Sequence, residues 1–175
     1  MTRLLPLLLV VLLTTSCARR IPLLGKYQET PVKTEFSQPF EKVWENIIDF
    51  IADTGQEVQL IDRSSGLIIS DAYITSGPYL SNEDKKGVLI NNRALVAVDR
   101  MSYNYPYGDL PTHTAFAKWT IRAKELKNKN IEVSVLLHVK RVEQMLGKDV
   151  QNHNGKSTGL HEKWLVEELG RRVNQ

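Results

Sequence analysis

One cysteine, four histidines and six tyrosines carry most of the chemical capability of this 175-residue chain. A single thiol excludes an internal disulfide and supports neither a zinc finger nor a redox pair. The histidines, His113, His138, His153 and His161, include no i,i+4 pair of the kind that holds zinc on one helix face. A convergence of His153, His161 and Glu162 is the one arrangement left to consider, and no metal site is expected. No Gly-x-Ser-x-Gly elbow presents a nucleophile, and Ser64-Ser65-Gly66 reads as a turn. Gly147-Lys148 and Gly155-Lys156-Ser157 lack the upstream glycine of a phosphate-binding loop. Glu167 and Glu168 are adjacent on a helix and diverge, which makes them a solvated face and not an acid–base pair. The chain therefore reads as a non-enzyme, with no catalytic residue, no metal and no cofactor.

The tyrosines say more. Tyr79, Tyr103, Tyr105 and Tyr107 stand in a stretch rich in proline and glycine, where a ring offers a large contact area at small entropic cost. They are the candidate partner-binding residues, against the alternative that the rings fold back over the domain's own sheet. Lys124, Lys127, Lys129, Lys140 and Arg141 form a basic hairpin tip and edge, suited to an acidic partner or to blocking edge-to-edge strand pairing. The net charge of +3 is too small for nucleic-acid binding. At 42% hydrophobic and 25% charged residues, the composition is that of an ordinary globular chain with room for one domain.

The elements that position these residues follow from periodicity. Phe40, Val43, Trp44, Ile47, Ile48 and Ile51 recur at spacings of three and four, with Ser37 as N-cap and Gly55 as stop, so a helix is expected over 38–53. The period then changes to two. Residues 57–62 and 67–74 flank the turn Arg63-Ser64-Ser65-Gly66 and read as a hairpin, with Val58 and Leu60 sharing a face. Ala115, Ala117, Trp119, Ile121 and Ala123 alternate with polar residues, as do Ile131, Val133, Val135, Leu137 and Val139, and Lys127-Asn128-Lys129-Asn130 is the turn between them. A second helix is expected over Ser157 to Arg172, with Leu160, Trp164, Leu165 and Leu169 as its apolar stripe. Residues 75–112 carry turn chemistry around short apolar runs and stay unassigned, with Val88-Leu89-Ile90 and Ala94 to Val98 as candidate strands. The expected fold class is α+β: an antiparallel sheet of about four to six strands, with an N-terminal and a C-terminal helix packed on one face. Trp44 and Trp164, one per helix, are expected in the core.

The amino terminus has its own logic. The ten apolar residues Leu4–Leu13 span about 15 Å as a helix, half of a roughly 30 Å hydrocarbon core, and fit a signal segment, not a membrane span. The junction Thr15-Ser16-Cys17 resembles the lipobox of bacterial lipoproteins, with Thr14 where that box usually has leucine. The resemblance implies removal of residues 1–16 as a signal peptide and acylation, palmitate included, of Cys17. Each buried methylene then contributes about 0.8 kcal/mol, so several chains hold firmly. Ala18 lacks the aspartate that retains such proteins at the inner membrane, which implies the outer membrane, facing the periplasm. Residues 17–34 read as a lipidated tether, Arg19 and Arg20 lie near the headgroups, and 35–175 form a single α+β domain.

Phe40-Glu41-Lys42-Val43-Trp44 through Gly55, continuing into Val58-Gln59-Leu60-Ile61-Asp62-Arg63-Ser64-Ser65-Gly66-Leu67-Ile68, resembles the helix-grip repeat of BamC-type accessory lipoproteins of the outer-membrane β-barrel assembly machine. That family carries two such domains and this chain has room for one. The resemblance implies a helix-grip-like fold and a scaffolding role. The expected function is a lipid-anchored envelope lipoprotein acting as a non-enzymatic scaffold or accessory subunit of a secretion, conjugation or barrel-insertion assembly, with the membrane and envelope proteins as partners. The alternative is a periplasmic carrier of a hydrophobic ligand held between helix and sheet and lined by Trp44, Trp119 and Trp164.

Overall fold

A computed structural model describes residues 20–76, 79–101, 113–146 and 149–175. Residues 1–16, Cys17, Tyr103, Tyr105 and Tyr107 lie outside the described residues. In chain order the elements are β1 (Arg20–Ile21), β2 (Val32–Phe36), α1 (Phe40–Thr54), β3 (Val58–Asp62), β4 (Leu67–Ser70), β5 (Tyr73–Ser76), β6 (Leu80–Asn82), β7 (Val96–Val98) and β8 (Arg100–Met101). There follow β9 (His113–Glu125), β10 (Ile131–Leu146), β11 (Asp149–His153), β12 (Gly155–Ser157) and α2 (Leu160–Val173). The class is α+β, with a seven-stranded antiparallel sheet in place of the expected four to six strands.

The spine is the hairpin of β9 and β10, 13 and 16 residues long. Its turn closes through Leu126 N–H to the Asn130 carbonyl and Lys129 N–H to the Leu126 carbonyl, at 2.8 and 2.9 Å. Alternation buries Ala115, Ala117, Trp119, Ile121 and Ala123 on β9 and Ile131, Val133, Val135 and Leu137 on β10. The phase of β10 then flips. The register shifts between Val139 and Arg141, and Val142, an even-numbered position, becomes the buried one. A bulge inserts one unpaired residue and exchanges the faces of everything beyond it.

Both strands outrun their outer neighbours, so each outer edge is shared by two shorter strands. On the β10 side, β2 pairs from Ile131↔Phe36 to Val135↔Val32 and β11 from Val142↔His153 to Leu146↔Asp149. On the β9 side, β4 pairs up to Ile69↔Thr120 and β5 from Tyr73↔Ala117. The two breaks fall at one level, the pair Leu137↔Trp119. There the buried amides find side chains: Trp119 N–H donates to Ser70 Oγ at 3.0 Å, and Leu137 N–H donates to Glu162 Oε1 at 3.2 Å. A buried amide without a partner costs about as much as a lost hydrogen bond, which is why each break is filled. β3 is the outer strand beyond β4. A register shift between Val58 and Leu60 leaves Leu60 and Ile61 exposed, so Val58 and Leu60 do not share a buried face. A three-stranded sheet orders as β12-β7-β6, with β6 and β7 parallel, and β1 pairs with β8.

Helix α1 opens directly after Pro39, whose carbonyl accepts the Val43 N–H, and Ser37 makes no cap. It buries Val43, Trp44, Ile47, Phe50 and Ile51. The stripe of α2 is Glu162, Leu165, Leu169 and Val173: it keeps Leu165 and Leu169 of the sequence reading and leaves Leu160 and Trp164 exposed. Trp164, expected in the core, is 51% exposed, because it stands about 100° around the helix from Leu165. Ser157 ends β12 and does not begin the helix, although its hydroxyl accepts the Gly159 N–H at 3.1 Å. Buried residues of both helices join the inward positions of β9 and β10 in one apolar cluster.

Two glycines share a left-handed backbone with φ near 65°, Gly55 at the end of α1 and Gly66 in the β3–β4 turn. A Cβ on Gly55 meets nothing within 4 Å, whereas one on Gly66 would lie 1.9 Å from the Ala123 carbonyl oxygen. Gly55→Ala should therefore cost about 1–2 kcal/mol for the backbone alone, and Gly66→Ala clearly more, since β9 must move. Urea unfolding of the two variants checks this, and equal losses would contradict the close approach of turn to strand.

Candidate functional site

The segment 20–31, within the stretch that reads as a tether, is built into the domain. β1 holds it to β8, Gln28 N–H donates to the Ser157 carbonyl at 3.0 Å, and β2 carries it into the main sheet. Between these points the chain is gripped by one carboxylate. Glu83 accepts the N–H groups of Leu24 and Gly25, each at 2.7 Å, and the Tyr27 hydroxyl. Its burial raises its pKa, but the two amides and the phenol outweigh that, and the net effect holds the carboxyl below its ordinary value of 4.5. Burial and the neighbouring carboxylate push the Tyr27 hydroxyl up, so it stays a donor.

Glu83 can do this because the turn behind it is rigid. Asp84 Oδ1 accepts the N–H groups of Lys86 and Val88 at 2.8 and 2.9 Å, Asp84 N–H reaches the Val88 carbonyl at 2.7 Å, and Ile90 N–H reaches the Asn82 carbonyl at 3.0 Å. The turn and the N-terminal segment lie side by side. Ile21 to Leu24 line one cleft with Glu83, Asp84, Lys85 and Val98. A shallow groove of about 300 Å³ runs from Gly25, Lys26 and Tyr27 across Val88 to Leu160. In the same two segments Leu24, Val88 and Ile90 are 61%, 59% and 64% exposed. Lys26, Lys85 and Lys86 are exposed beside them. Tyr79 is exposed at the head of β6, and its carbonyl accepts the Leu95 N–H.

The remaining polar clusters are internal joints. Glu162 has no exposed surface and accepts the Ser157 hydroxyl at 2.8 Å as well as the Leu137 amide. Asp99 and His153 are both buried, with Asp99 Oδ1 3.1 Å from His153 Nδ1 and 3.1 Å from the Asn154 nitrogen. The His113 ring stands edge-on to His153 at 5.2 Å. Tyr73 hydroxyl and His161 Nδ1 are 2.9 Å apart. Burial lowers the His161 pKa, and burial together with the Glu162 charge raises that of Tyr73. His153, His161 and Glu162 thus face three different partners and do not converge. Among the described residues no cluster of three metal-binding side chains occurs. The basic residues divide: Lys124, Lys127 and Lys129 are exposed at the hairpin tip, while Arg141 at the bulge pairs with Glu143 at 2.7 Å and covers the Phe116 ring.

The sequence matches no known family model, and no curated protein matches it. Among the described residues no helix is long and apolar enough to cross a membrane. Nothing in the run Asn82-Glu83-Asp84 distinguishes Glu83 from any other surface acid in sequence, so its grip on residues 24–27 emerges from the fold alone.

Because the folded pKa of Glu83 lies below the unfolded one, its contribution is complete above pH about 4.5 and is lost as pH falls through the depressed value. Exchange protection of the Leu24 and Gly25 amides should fall in that acid window. Glu83→Gln should remove most of the protection at neutral pH, at a cost of about 1–3 kcal/mol for groups left poorly paired. Amide exchange of the two proteins reads both effects, and full protection in the variant would refute the clamp.

Proposed function

We propose that this chain is a lipid-anchored envelope lipoprotein: a signal peptide over residues 1–16 is removed, Cys17 is acylated, and the domain serves as a non-enzymatic scaffold or accessory subunit of an envelope assembly at the outer membrane, facing the periplasm. The observation that carries the reading is the fate of the chain after Cys17. Residues 20–36 form two strands and the Glu83 grip, so a lipid on Cys17 attaches to a folded body and not to a loose arm. We place the helices in a helix-grip-like arrangement, both on one face of the main sheet. Support comes from their shared cluster with the inward residues of β9 and β10. A scaffold of this kind offers Tyr79, Tyr103, Tyr105 and Tyr107 to an envelope protein, with the basic tip of Lys124, Lys127 and Lys129 as a second contact. The carrier alternative loses a wall residue, since Trp164 lies outside the core while Trp44 and Trp119 fill it.

Cys17→Ser in the full chain should move the protein from the membrane to the soluble fraction of its own cells. Continued sedimentation with membranes would overturn the anchor. For the scaffold, crosslinking and affinity capture should recover a reproducible envelope protein that is depleted when the four tyrosines are replaced by alanine. Unchanged recovery counts against that surface, and recovery of a lipid without any protein favours the carrier.

A further inference from the structure

Resting on the anchor at Cys17, we infer that the surface formed by Leu24, Val88 and Ile90, with Lys26, Lys85 and Lys86 around it, lies against the anionic lipid surface into which the anchor inserts. Three residues extended at about 3.6 Å each allow at most about 11 Å between Cys17 and Arg20, the first residue of β1. That length keeps Arg20 within about 11 Å of the acylated residue. The part of the domain that follows Arg20 within the same segment is the cleft of Ile21 to Leu24, against Asp84 and Lys85. It must stand at the headgroups.

The side chains there suit that place. Leu24, Val88 and Ile90 are apolar and each more than half exposed, on two segments that the Glu83 grip holds together. Val88 and Ile90 flank the half-buried Leu89 and project outward. Lysines beside apolar residues are the composition of an interfacial surface: the apolar side chains enter the headgroup boundary and the ammonium groups pair with lipid phosphates. Glu83 does not oppose this, because its carboxylate is buried and occupied by Leu24, Gly25 and Tyr27. The grip has a purpose in this setting, since it locks Leu24 beside Gly87 and so joins the anchor-proximal chain and the Val88 turn into one rigid unit. β2 leads away from that face toward the β9–β10 turn, where Lys127 stands at the far end of the domain.

The test uses the full acylated chain reconstituted in vesicles of phosphatidylethanolamine and phosphatidylglycerol. With the Cys17 sulfur held in its thioether, Val88→Cys or Lys127→Cys supplies the reactive thiol for an environment-sensitive dye. The dye at position 88 should shift to the blue and be quenched several-fold by doxyl-labelled lipid, while the dye at 127 behaves as in water. Equal, water-like behaviour at both positions in protein that floats with the vesicles overturns the docking and leaves the anchor standing. Protein that does not float with the vesicles overturns the anchor itself. Shielding of position 88 in native membranes but not in these vesicles overturns the proposal in favour of a protein partner on the same surface.

Discussion

The two long paired strands β9 and β10 lose their outer neighbours together at the level of Trp119 and Leu137. A strand that outruns its partners leaves backbone amides facing a gap, and inside a core such amides must be served. Here the service comes from Ser70 on one side and Glu162 on the other. The second is the more consequential. Glu162 sits on the buried face of α2 and also takes the Ser157 hydroxyl, so one carboxylate ties the sheet, β12 and the last helix into a single unit. It shares the buried face of α2 with Leu165, Leu169 and Val173, while Trp164 is exposed.

The same logic of one carboxylate serving several backbone groups recurs at Glu83, near the surface. There it fixes the first described stretch of chain against a stiff turn. Leu24, Val88 and Ile90 are exposed in the segments that Glu83 joins, with Lys26, Lys85 and Lys86 in the same segments, and Lys124, Lys127 and Lys129 are exposed at the β9–β10 tip.

The elements that announce themselves in the sequence are those whose period is unbroken. α1 and the first half of β10 obey one period each, and both lie where that period puts them. β9 does the same over its whole length. The second half of β10 is hidden by the bulge after Val139, because the alternation changes phase there and the pattern reads as ended. In α2 the hydrophobic pattern finds Leu165 and Leu169 but also assigns Trp164 inward, and it gives no sign of the buried Glu162 that takes the Leu137 amide. β2 is five residues of mixed polarity whose identity as a strand depends on β10, roughly a hundred positions away. Of the surface residues, Tyr79 and the tip lysines can be picked out by type and neighbourhood. The Leu24–Val88–Ile90 face cannot, since its three members come from two segments joined by a side-chain contact.

The pairing of β2 with β10 also imposes an order on folding. The β9–β10 hairpin closes over a short turn, whereas Val32 finds its place only opposite Val135. Contacts so distant in sequence are entropically late, and during synthesis they have to wait for most of the chain to emerge. Residues 32–36 therefore join the main sheet after the β9–β10 hairpin has formed.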